Sequence, residues 1–109
     1  MYYVHIKENS LWAKIAARKL KSKTAAITIG KTIHLYNVDS VKFLEDKSWL
    51  CHELKHVEQF RMYGFFYFIF LYLWESMLKG YQNNKYEIEA RNAENDLQLL
   101  EGVSFKEIK

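Results

Sequence analysis

The run His52-Glu53-Leu54-Lys55-His56 sets two imidazoles four residues apart and a carboxylate beside the first. On a helix, residues at that spacing share a face, so His52 and His56 aim at one point. Paired imidazoles with an adjacent carboxylate are the parts of a hydrolytic zinc site. The histidines hold the ion, and Glu53 takes a proton from a metal-bound water. The flanking residues suit a helix packed on one side: Leu50, Cys51, Leu54 and Val57 are apolar, while Lys47, Lys55 and Glu58 are polar. The bland alternative is a pair of unrelated helix histidines, one of them satisfied by a hydrogen bond in the core.

Two histidines do not complete such a site, because a catalytic zinc takes three protein ligands and keeps a fourth position for water. His5 and His34 are the remaining histidines, although His34 falls in a stretch that reads as a hairpin strand, where it most simply faces solvent. The other source is the acidic stretch Tyr86-Glu87-Ile88-Glu89-Ala90-Arg91-Asn92-Ala93-Glu94. Glu87 and Glu89 lie about 200° apart around a helix, so only one of them can face the ion. Carboxylates there also suit a helix start without any metal, since the helix dipole favours negative charge at that end.

Together the two stretches resemble the gluzincin metallopeptidases, in which HExxH is followed by a second helix bearing a glutamate ligand in a Glu-x-x-Ala or Glu-x-x-Ser stretch. Glu87-Ile88-Glu89-Ala90 matches the first form. The resemblance therefore implies one Zn2+ per chain held by His52, His56 and Glu87, with Glu53 as the catalytic base. The same pairing is similar to that of small bacterial proteins of the DUF4157-like group, and the size and layout resemble the minigluzincins. The likeness covers residues 49–94 and implies a small zincin-like domain acting on a peptide or protein substrate. From the minigluzincins it also implies latency, with residues 103–109 lying across the site. Where the family has an acid after the Ala, this chain has Arg91. The carboxylate that steadies a ligand histidine must then come from elsewhere, with Asp39, Glu45 and Asp46 as candidates. A tyrosine donor for the oxyanion is to be sought among Tyr36, Tyr63, Tyr81 and Tyr86.

The elements that must position these groups are mostly helical. Residues 1–8 alternate like a strand. A helix follows over 11–20, capped by Asn9 or Ser10, with Leu11, Trp12, Ile15, Ala16 and Leu20 on its apolar side and Lys14, Arg18, Lys19 and Lys21 on the other. Residues 25–29 and 32–36 read as a β-hairpin about Gly30-Lys31, of type II′. Its free edge offers a place for an extended substrate to add as a strand. The HExxH helix runs from Ser40 or Lys42 to Tyr63, in one piece or two, and Gly64 ends it. The aromatic run 65–78 reads as a helix packed in the core, with a membrane-surface patch or partner groove as the other reading. After a loop at 80–85, a last helix runs from Tyr86 to about Leu100, with Ile88, Ala90, Ala93, Leu97 and Leu100 inward.

A chain of 109 residues is one domain, and half of it is apolar, enough for a core. The expected class is α+β, mostly helical. A net charge of +3 is too mild to argue for nucleic acid. The single Cys51 excludes an internal disulfide and reads as a small buried hydrophobe. Met1-Tyr2-Tyr3-Val4-His5-Ile6 has no features of a signal peptide, and the apolar run is too short to span a bilayer, so the sequence reads as cytoplasmic. The leading expectation is a zinc metallopeptidase. The alternative is a zinc-bearing interaction module without catalysis, whose helix 65–78 binds a protein partner or a membrane surface.

Overall fold

Alternation along the strands builds the sheet's inner face. Val4 and Ile6 on one strand and Ile33 and Leu35 on another are all buried and point the same way. The computed structural model describes residues 2–108. In chain order these form β1 (Tyr2–Lys7), α1 (Leu11–Leu20), β2 (Ala25–Ile29), β3 (Thr32–Tyr36), α2 (Ser40–Glu45), α3 (Lys47–Tyr63), α4 (Phe65–Lys79), α5 (Lys85–Asn92), a 3-10 turn (Leu97–Leu100) and β4 (Val103–Ile108). The fold is α+β and mostly helical, with a mixed sheet in the order β2-β3-β1-β4. β1 runs parallel to both β3 and β4, and β2 pairs antiparallel with β3. β2 is therefore an outer strand with one free edge.

α3 lies on the inner face of the sheet. Leu50, Leu54 and Val57, spaced for a helix, pack with Val4, Ile6, Ile33, Leu35 and Phe43. α1 covers the other face. Ser10 sits at the α1 N-cap, but its hydroxyl bonds His34 Nδ1 at 2.7 Å instead of capping the helix. Gly30 has φ +66 at the first turn position and Lys31 is not in the left-handed region, as a type II′ turn requires. The HExxH region is two helices. Asp39 and Asp46 cap them, accepting from the backbone N–H of Lys42 at 2.8 Å and of Trp49 at 3.1 Å. Gly64, with φ +90 and ψ 156, then breaks α3 from α4, a conformation that is essentially glycine's alone.

Four expectations change. On α1 the buried residues are Ala13 and Ala17, while Leu11, Trp12, Ile15 and Leu20 are exposed. Only the small methyls let the helix approach the sheet closely. α4 is not a core helix: Phe68 and Glu75 are its buried residues, and most of its large apolar side chains face water. The last helix stops at Asn92 and turns Tyr86, Glu87 and Ala90 inward, which leaves Ile88 on its outer side, and Leu97 beyond its end is exposed too. Finally, residues 103–108 do not cross the site. They form β4, paired along the whole of β1 at the sheet edge opposite β2.

Candidate metal centre

His52 and His56 sit one turn apart on α3, with ring centroids 5.2 Å apart. Glu87, in the first turn of α5, faces both. Its Oε1 lies 3.1 Å from His52 Nε2 and its Oε2 lies 3.1 Å from His56 Nε2. One donor atom from each residue falls within 4.8 Å of the others, so the three form a group able to hold a metal ion. His5 and His34 belong to strands and are not part of it. Glu89 is turned outward and accepts from Gln59 Nε2 at 2.9 Å.

Each imidazole is fixed through its other nitrogen. His52 Nδ1 donates to Glu94 Oε2 at 2.9 Å, and His56 Nδ1 donates to Gln59 Oε1 at 2.8 Å. Gln59 is itself fully buried and held by Glu89 and by the Tyr86 carbonyl at 3.2 Å. These bonds leave both Nε2 atoms aimed at Glu87, the arrangement that orients metal-ligating histidines. The steadying carboxylate is thus Glu94, from the turn after α5. Asp39 and Asp46 serve as helix caps instead, and among the described residues the carboxylates bonded to the two histidines are Glu87 and Glu94. Arg91, where the gluzincin pattern would have an acid, donates to the Gln82 carbonyl and ties down the preceding loop.

α5 is held in place by α4. Buried Asn84 accepts from the Tyr86 N–H at 2.8 Å and donates to the Tyr72 carbonyl at 3.0 Å and to Ser76 Oγ at 2.8 Å. This lock sets the Tyr72 hydroxyl against Glu87 Oε2 at 2.5 Å. Of the four tyrosines singled out above, Tyr81 reaches the cleft beside Glu87. Tyr63 and Tyr86 pack among Phe60 and Phe68, and Tyr36 lies on β3. Tyr72 gives no sign in the sequence beyond its spacing of four from Phe68 and three from Glu75. Gln59 was more legible, since it follows His52 by seven residues and His56 by three, on the same helix face.

Glu53 is buried beside the group. Thr28 Oγ1, on the outer strand β2, donates to its Oε1 at 2.8 Å. Burial lifts its carboxyl above the usual carboxylate range, against the pull of His56, His52 and Thr28. Burial presses His52 down, but the hydrogen bonds to Glu87 and Glu94 and the charge of Glu53 outweigh it and raise the imidazole to about 9. Glu87 is held well below the carboxylate range: its own burial opposes this, but His52, His56 and Tyr72 prevail. The Tyr72 hydroxyl is pushed up by burial and by Glu87, so it stays a proton donor. Cys51 is fully buried and its thiol faces the Asp96 carbonyl at 3.5 Å, away from the centre.

The centre lies at the base of a cleft of about 270 Å³ that follows the free edge of β2. Residues 26–29 of that strand line one side, with Ala16 and Leu20 of α1 and Phe68, Ile69 and Leu73 of α4 around them. The walls are apolar, and the polar groups gather at one end.

A small α+β domain with a His-His-Glu group beneath an outer strand is the class that fold and site define. Residues 4–64, more than half of the chain, match the family described as the eCIS core domain, and the protein belongs to that family. The matched stretch runs from β1 through α3 and so contains His52, Glu53 and His56, but ends before Glu87. No curated protein and no solved structure matches the chain.

Proposed function

We propose that the protein is a zinc-dependent metallopeptidase, with His52, His56 and Glu87 as ligands and Glu53 as general base. The observation that carries this reading is the placement of Glu53: a buried carboxylate with a raised proton affinity, tied to the outer strand by Thr28, beside three convergent donors. Two imidazoles and one carboxylate are the donor set of a catalytic zinc rather than of a closed structural one. One donor atom from each of the three residues lies within 4.8 Å of the others, near enough for all three to converge on a single ion. A zinc ion there would lower the pKa of water towards neutrality and polarise a carbonyl.

The chain's own residues supply the rest. Glu53 takes a proton from the attacking water and passes it to the leaving amine. Tyr72 and Tyr81 are the hydroxyl donors nearest the place where negative charge develops on the carbonyl oxygen. The free edge of β2 offers alternate backbone N–H and C=O groups on which an extended peptide lies as an added strand. Glu94 and Gln59 hold the imidazoles in the tautomer that leaves Nε2 free for the ion.

Glu53→Gln tests the reaction directly. The amide keeps the shape but cannot take the proton, so cleavage of a mixed peptide library by zinc-loaded protein falls at least about 100-fold while zinc stays bound. Undiminished cleavage by that variant would show that the activity does not run through Glu53.

A further inference from the structure

α4 is turned inside out. Its one acidic residue, Glu75, is buried, accepting from the Lys85 N–H at 3.1 Å and pairing with Lys79 at 3.5 Å. Phe66, 84% exposed, stands in water together with Phe70, Leu73, Trp74 and Met77. These residues fall at helical spacing and form one stripe. α1 repeats the pattern, with Leu11, Trp12 and Ile15 outward over the buried alanines. The two helices meet at one cleft, which Leu20 of α1 and Leu73 of α4 both line. An exposed apolar stripe as long as that of α4 marks a contact face.

Charge selects what covers it. No acidic residue occurs between Glu8 and Asp39, whereas that stretch contains Lys14, Arg18, Lys19, Lys21, Lys23 and Lys31. We infer that this face rests on an anionic lipid bilayer, with the stripes of α1 and α4 sunk into the headgroup region and the basic residues of α1 against the lipid phosphates. A second copy of the chain docked on this face would set two basic faces against each other and be repelled. Lipid anions meet the same charge favourably. Trp12, Tyr67 and Trp74 provide the amphipathic rings that suit a membrane interface. The 15 residues of α4 reach about 22 Å, short of a hydrocarbon core of about 30 Å. No helix among the described residues is long and apolar enough to cross a membrane. The helices therefore lie along the surface. The cleft then opens at the lipid, and on the peptidase reading proposed above its substrates would be peptides held at that surface.

The test is co-sedimentation with vesicles of mixed phosphatidylglycerol and phosphatidylcholine against vesicles of phosphatidylcholine alone, run with zinc and with chelator. The protein is expected to bind the mixed vesicles, less so as salt rises, and equally well without metal, so that this result is separate from the fate of the zinc site. Wild-type tryptophan emission should shift to the blue on binding, a readout that needs no variant. The combined variant Phe66→Ser, Phe70→Ser, Met77→Ser should lower partitioning at least about tenfold. Lys14→Gln with Lys19→Gln should lower it about fivefold per charge removed. Absence of binding to the mixed vesicles, binding that the folded variants retain in full, or a dimer in light scattering that the serine variant dissolves would each overturn the inference.

Discussion

At the residue scale, the parts of the site differ in how far the sequence could show them. His52, Glu53 and His56 were legible because one helical turn places them together, and that relation depends on nothing but local geometry. Glu87 came from a resemblance, and the structure brings it to both histidines. Glu94 was not legible: it reaches His52 only because α5 ends at Asn92 and the chain turns back. Replacing Glu94 with Ala should free the His52 ring and weaken zinc binding by about 10–100-fold. The side chain is partly exposed, so a thermal melt should change little, while competition with a chelating dye reads the lost affinity. Thr28→Val keeps the shape of the β2 side chain but leaves the buried Glu53 carboxylate without its donor. About 1–3 kcal/mol of stability should be lost, measured by urea unfolding, along with most of the cleavage activity.

Element boundaries followed the sequence wherever a single residue set them. Gly64 is such a case, and Gly64→Ala should cost about 1–3 kcal/mol, because alanine is strained at φ +90. The urea midpoint would show it. Which face an element buries was harder to see. The large apolar residues of α1 and α4 look like a core, yet the sheet accepts only Ala13 and Ala17 from α1, and α4 turns Glu75 inward to meet the start of α5. Only the packing of one element on another decides this, and periodicity within a helix does not report it. The C-terminal segment had the same problem, since a strand that pairs with β1 some hundred residues away leaves no local mark. Deleting residues 103–109 should lower the melting temperature by exposing the β1 edge, with no gain in peptide cleavage. A gain would restore the view that this segment restrains the site.

For the whole molecule, the sheet and α3 form a frame around one apolar core, and the cleft lies where that frame has a free edge. The eCIS core match covers the frame as far as α3, whereas α4 and α5 add Tyr72, Glu87 and the exposed aromatic stripe. Length and composition gave a single domain with its own core, because half the residues are apolar, and the order of strand-like and helix-like stretches gave the class. Neither could place the stripe or the cleft, which depend on how α4 sits across the end of α3. The central claim is that His52, His56 and Glu87 hold a zinc ion. Elemental analysis of protein purified without chelator, beside His56→Ala and Glu87→Ala, tests it most directly. The account predicts about one zinc per chain, lost from both variants while they remain folded. Wild-type protein that takes up no zinc even on reconstitution, or variants that keep it, would contradict the account.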